Sequence, residues 1–307
     1  EALLTAVKAA LTDDPSQAIA TEIRPEADGS VVLEVENTTS RMQVAGLGGG
    51  HGLELAANGR KAEKLAEVSV EPMKTYAFTT NYPFLAGPWK MNWFYVPKCG
   101  ERPDWTSLPS LPIANEVRRS AAKPVTMKAS FKMAWNESRL YLRVEVEDDT
   151  MLPEADYGTI DPLRLYLYDG CLEVYFDGFA DARRQSVQGF DLNDSRYDFV
   201  YGKVHRQLAV NWQLAQGTQS ATDREVAEKL EQRCFKTEKG VAYEIAFAPR
   251  YLAPIRLQAG TRASLGLFIH DRDSRTDKGE NGLSLATERG KVCNRNPHLW
   301  PEFILLP

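Results

Sequence analysis

The residues with the most chemical capacity fall at three places in the second half of the chain. Glu173 and Asp177 alternate with Leu172, Val174 and Phe176, so a strand here would carry both carboxylates on one polar face. Two carboxylates held roughly 5–10 Å apart across a cleft can hydrolyse a glycosidic bond, but alternation along one strand carries no pairing information. His270-Asp271-Arg272-Asp273 ends an apolar run and enters a polar loop through Asp277 and Glu280, where carboxylates could hold hydroxyls or a calcium ion. The spacing fails the EF-hand pattern, since Arg275 stands where an oxygen ligand is needed and Gly279 comes late. Asp148-Asp149 could join Asp271 and Asp273 at such a cation site. No GxSxG elbow is present, and His51, His205, His270 and His298 form no metal motif, so no catalytic residue is assigned.

Other features read as structure. Gly46 to Gly52 is glycine-rich, yet no helix follows and no Lys-Ser/Thr closes it as a phosphate loop, so it reads as a hairpin. Cys99, Cys171, Cys234 and Cys293 are widely spaced and lack zinc-site spacing, which leaves free thiols and two disulfides both open.

The elements that must position these residues are strands. Val31, Leu33 and Val35 alternate with charged and small residues, and short extended runs at Leu53 to Ala56, Val68 to Val70 and Tyr76 to Thr80 follow. Met127 to Met133, Leu140 to Val146, Leu172 to Phe176, Val241 to Phe247 and Leu265 to Ile269 repeat the period of two, with a turn at Asn136-Glu137-Ser138. Helical spacing occurs at Glu1 to Leu11 and at Thr222 to Gln232. The fold class expected is all-β: two antiparallel β-sandwiches of jelly-roll or immunoglobulin-like form, with few short helices. Pro97, Pro103, Pro109 and Pro112 mark a linker, which sets the domains at 1–98 and 99–307. Trp89 and Trp93 are expected at the seam between the domains, the alternative being an exposed platform.

The 307 residues carry 37 Lys plus Arg against 42 Asp plus Glu, so there is no basic stripe for nucleic acid. No apolar run approaches the roughly 20 residues of a membrane span. The opening residues from Glu1 lack a signal peptide's basic start and apolar middle, and the chain reads as a trimmed or mature product.

Four segments, in order, carry a resemblance. They are Ala129 to Asn136 with Arg139 to Asp148, Asp169 to Asp177, Tyr243 to Pro249, and Gly266 to Asp273 with Pro297 to Leu305. Together they make the region from Cys99 to the C-terminus similar to the family 9 carbohydrate-binding modules, and more loosely to the DOMON-like sugar-binding sandwiches. The resemblance implies a non-catalytic sandwich that stacks sugar on aromatic rings, is often appended to glycan-degrading enzymes, and sometimes carries structural calcium. Its partners would be oligo- or polysaccharides and a glycan-processing enzyme, in a secreted, periplasmic or cell-surface setting. It places the ligand near Tyr168, Glu173 and His270, Asp271, Arg272 and Asp273. The family's two stacking tryptophans fall on Leu167 and near Cys293 or Asn294, and its ligand-binding arginine falls on Asp198. The resemblance also puts Trp105 and Trp135 at framework positions in the core, and Trp212 and Trp300 are the tryptophans left to serve instead. The other readings open at this point are a structural or protein-interaction sandwich and a glycoside hydrolase.

Overall fold

A computed structural model describes residues 19–37, 43–48, 51–55, 59–80, 89–118, 124–150, 169–182, 193–200, 208–213, 230–273, 281–288, 290 and 296–307. These form two compact units, one running to Val70 and including Tyr76–Met91, the other made of Glu71–Thr75 and Asn92–Pro307. The expected helix at Glu1 to Leu11 lies outside the described residues.

The first unit holds β1 (Ile19–Pro25), β2 (Ser30–Asn37), β3 (Gln43–Gly48), β4 (His51–Leu55) and β5 (Arg60–Glu67); β6 (Thr75–Thr80) begins at its border. β1, β2 and β5 make an antiparallel sheet, and β3 pairs with β4. The β1–β2 turn needs Gly29, whose φ of 90° is in the left-handed region and whose missing Cβ would lie 2.2 Å from the Val68 carbonyl oxygen. Asp28 Oδ1 accepts from the Ser30 amide at 2.9 Å and fixes the same turn. Ile23, Val31, Leu33 and Val35 are buried as the alternation requires. The glycine-rich stretch is a hairpin, with Gly46 opposite Gly52. Val68–Val70, expected as a strand, is irregular; β5 ends at Glu67, where the Val68 amide turns to bond the Gly29 carbonyl.

The second unit contains most of β7 (Trp89–Val96), then β8 (Leu111–Ile113), β9 (Asn115–Val117), β10 (Lys128–Asn136), β11 (Arg139–Glu147), β12 (Leu172–Asp177), β13 (Asp194–Val200), β14 (Leu208–Gln213), β15 (Glu231–Lys236) and β16 (Gly240–Phe247). A single helical turn α1 (Pro249–Leu252) leads to β17 (Arg262–His270), β18 (Gly282–Ser284) and β19 (Glu302–Leu305). One sheet has the order β15-β16-β11-β10-β8, and the other follows β14-β13-β12-β17-β19-β7. β18 pairs with the end of β17, and β9 with β18. Among the described strands of these two sheets, pairing is antiparallel except between β19 and β7. Glu231 and Gln232, expected at the end of a helix, are instead in β15, where pairing with β16 overrides a weak local preference; residues 222–229 lie outside the described residues.

The core lies between these two sheets. Phe131, Met133, Leu142, Val144, Tyr243, Ile245 and Phe247 from one meet Leu172, Val174, Phe176, Leu265, Leu267 and Phe303 from the other. Phe176 and Phe247 meet edge to face with centroids 5.2 Å apart, and Phe94 and Phe131 do so at 5.5 Å. Each such buried side chain contributes roughly 1.5–3 kcal/mol. Asn136 sets the β10–β11 hairpin, its Oδ1 accepting from the amides of Ser138 and Arg139, both at 3.0 Å. Trp135 is core, as expected, and its Nε1 donates to the Leu306 carbonyl at 2.9 Å. Trp93 is buried too, whereas Trp105 departs from expectation: it is half-buried, on a loop outside the core. Cys99, Cys171 and Cys234 are free thiols. Among the described residues no helix is long and apolar enough to cross a membrane.

Candidate functional site

Because Leu172, Val174 and Phe176 face the core, Glu173, Tyr175 and Asp177 emerge on the outer face of the β14-to-β7 sheet. Register then builds rows across three strands. Glu173 lies opposite Asp198 on β13 and Phe268 on β17, and Tyr175 lies opposite Arg196 and Gly266. His270 follows Phe268 on the same face, their rings in edge contact at 4.7 Å.

A buried polar network results. The Arg196 guanidinium donates from Nη2 to Glu173 Oε1 at 2.6 Å, and from Nε and Nη2 to the two oxygens of Asp198 at 2.7 and 2.8 Å. Glu173 Oε1 also lies 3.0 Å from His270 Nε2, and its Oε2 accepts the Tyr175 hydroxyl. Glu173 and Asp198 are 1% and 0% exposed, and Arg196, at 7%, is the part of the network nearest solvent. Burial by itself would push the Glu173 carboxyl up; Arg196, then His270, overcome it and hold the group at about 2 against an ordinary 4.5. The carboxylate is thus fixed as an acceptor over the whole neutral range, and a glycosidase proton donor needs the opposite shift.

Beside the network lies an aromatic pair. Tyr175 and Trp300 have centroids 5.3 Å apart, and Arg196 sits 5.5 Å over the Tyr175 ring. Gly266 makes room for this: a Cβ there would be 2.8 Å from Trp300 Cε2 and Nε1. Trp300 comes from the segment between a 3-10 turn at Pro297–Leu299 and β19.

A second cluster gathers carboxylates from three loops. One oxygen from each of Asp148, Asp169 and Asp271 lies within 4.8 Å of the others, and Asp148, Asp149 and Asp273 make a similar triad. Asp271 Oδ2 accepts the Thr126 amide at 2.9 Å, while its Oδ1 and Asp148 Oδ2 are buried without a hydrogen-bond partner among the described residues. Burial, followed by the charges of Asp273, Asp148 and Asp149, pushes Asp271 up to about 6. Hard oxygen donors crowded in this way fit a calcium ion.

Of the residues singled out from sequence, Glu173, Asp198 and His270 meet in the network. Asp148, Asp149, Asp271 and Asp273 meet in the carboxylate cluster, which Asp169 joins without having been foreseen. Arg272 is buried, and its amide donates to Asp169 Oδ1 at 3.0 Å. Tyr168, Leu167, Cys293 and Asn294 lie outside the described residues, as do the side chains of Trp89 and Trp212. Arg196 and Tyr175 were missed. Tyr175 was visible two residues beyond Glu173, and Arg196 two before Asp198.

Two stacked sheets with a polar and aromatic outer face place the chain among the antiparallel β-sandwiches. Residues 102–306 match the model of the family described as carbohydrate family 9 binding domain-like, and the chain belongs to that family. Among solved structures, a carbohydrate-binding module of family 9 from Caldicellulosiruptor kristjanssonii in complex with glucose is similar at 17% identity and a TM-score of 0.49, covering 69% of this chain and 94% of that one. The same organism's module in complex with cellotriose gives 17% identity and a TM-score of 0.48, over 69% and 92%. No curated protein matches the chain.

Proposed function

We propose that the second unit is a non-catalytic saccharide-binding module, acting as an accessory to a glycan-degrading or glycan-uptake system outside the cytoplasm. The observation that supports it, in a chain of this family, is the Glu173–Arg196–Asp198–His270 network fixed beside the Tyr175–Trp300 pair. Sugar hydroxyls are held by fixed donors and acceptors, and the Tyr175–Trp300 pair, both 0% exposed, backs the network from beneath rather than offering a stacking face. In this reading Arg196 is the first polar group a ligand meets, with Glu173 and Asp198 holding the guanidinium in place. The carboxylate cluster of Asp148, Asp169, Asp271 and Asp273 holds calcium and braces the loops that enter β12 and leave β17.

Titration calorimetry against gluco-, xylo- and manno-oligosaccharides tests the reading. Binding between about millimolar and tens of micromolar is expected, weakened about tenfold or more by Arg196→Ala. Reducing ends should stay constant when the chain is incubated with the corresponding polysaccharides. Turnover that Glu173→Gln abolishes would replace binding by hydrolysis, and no affinity for any glycan would leave an interaction module.

A further inference from the structure

The other face of the second unit carries a groove that the Glu173 network does not touch. The segment Gly100–Trp105 runs across the outer side of the β15-β16-β11-β10-β8 sheet. Three outward side chains strap it down: Asn136 Nδ2 donates to the Gly100 carbonyl at 2.7 Å, the Tyr141 hydroxyl to the Glu101 carbonyl at 2.8 Å, and Lys132 Nζ to the Trp105 carbonyl at 2.6 Å. Between strap and sheet is an open groove of about 380 Å³, within the size range of small-ligand sites. Its floor is set by register. Tyr141 pairs with Ala246 and Ala246 with Glu231, so a small side chain stands between two larger ones.

The lining combines an aromatic surface with fixed polar groups. Trp105 is half-buried and Tyr141 is held by its hydroxyl bond to the strap. Arg102 pairs with Glu231 at 2.5 Å, and Arg233 with Glu244 at 2.7 Å. The two arginines and two glutamates of the lining balance; behind them Arg143 bonds Glu244 at 2.8 Å and Glu145 at 2.5 Å, and Arg139 lies 3.7 Å from Glu231, so the groove presents mixed charge rather than a field of one sign. A neutral ligand with many hydroxyls gains from both signs at once, and its apolar face gains from Trp105.

We propose that this groove is a second saccharide site, taking a neutral di- or trisaccharide with one ring on Trp105 and hydroxyls on the Arg102–Glu231 and Arg233–Glu244 pairs. The choice of ligand rests on reading the chain as saccharide-binding, but the site is separate, since the sandwich core lies between the two faces. Two independent sites on one module raise avidity for a polymer without any change in either contact.

The test is an NMR titration of the full chain with cellotriose, xylotriose and mannotriose, following amide and indole signals. Shifts at the Trp105 indole and the Ala246 amide are expected, saturating separately from any at Arg196 and His270. Trp105→Ala should weaken the groove about tenfold or more and leave the other face unchanged. Arg233→Ala, an exposed change that leaves the strap intact, should weaken it several-fold and guards against misfolding of the first variant. Response at Trp105 with silence at Arg196 would uphold this site and defeat the proposed one. Shifts confined to the Arg196 face, shifts at Trp105 that neither variant alters, or no shifts with all three sugars would overturn it.

Discussion

Replacing Glu173 by Ala removes the acceptor shared by three donors: Arg196 Nη2 at 2.6 Å, the Tyr175 hydroxyl, and His270 Nε2 at 3.0 Å. Taking one partner out of a buried ion pair typically costs about 3–5 kcal/mol, because the remaining charge is left uncompensated. Here Arg196 keeps both bonds to Asp198, so the low end, about 3 kcal/mol, is expected. Glu173→Gln keeps an acceptor of the same shape and should cost about 1–2 kcal/mol. Urea unfolding followed by tryptophan fluorescence measures both. The pH dependence sharpens the test. Glu173 titrates near 4.5 when unfolded and at about 2 when folded, so its stabilisation is fully present above 4.5 and is lost as pH falls toward 2. The wild type should therefore lose stability across that window faster than Glu173→Gln, and the gap between them should close at its acid end. A cost below about 1 kcal/mol for Glu173→Ala, or a gap that does not change with pH, would refute the network as drawn.

Calcium added to chelated protein should raise the melting temperature, and Asp271→Asn should abolish that rise, as differential scanning calorimetry would show. Gly266→Ala should destabilise by about 1–3 kcal/mol in thermal melts, because the new Cβ meets a Trp300 ring that is 0% exposed and has nowhere to move. Asn136→Asp keeps the acceptor that closes the β10–β11 turn but loses the amide that straps Gly100. It should leave the hairpin's hydrogen exchange near normal while speeding exchange in 100–105, whereas Asn136→Ala should affect both.

The parts of this fold that show in the sequence are those where one face is dry and the other wet. β10, β11 and β16 alternate cleanly, and their apolar sides pack as the pattern requires. The pattern weakens where both faces are buried. Every residue of β12 is buried, so Glu173 and Asp177 read as solvent-facing when they are covered. Trp105 departs from expectation for a different reason: the resemblance puts it at a framework position in the core, but strap and groove depend on Asn136, Tyr141 and Lys132, which are 27 or more positions away. The carboxylate cluster was half visible. Asp148, Asp149, Asp271 and Asp273 stood out as local acidic runs, while Asp169 hid in the turn before β12.

The arginine of the network shows how strand periodicity keeps neighbouring polar residues on one face. The resemblance puts the family's arginine position on Asp198, and two residues before it Arg196 reaches Glu173. A step of two residues along a strand preserves the face, since side chains repeat with period two, and it shifts the position by only about 7 Å. Asp198 and Arg196 therefore both emerge above the same stretch of β12, one directly across from Glu173 and the other one row down, opposite Tyr175. A step of one instead reaches Tyr197, which faces the core and bonds the Tyr251 carbonyl. The long guanidinium then spans the remaining distance diagonally, so that a carboxylate opposite Glu173 and an arginine beside it become one ion-paired unit. Two carboxylates placed across from each other in a buried sheet would repel, and the stable arrangement requires a cation on the same face within a side chain's reach. Arg196 meets that requirement: its guanidinium bonds both Glu173 and Asp198.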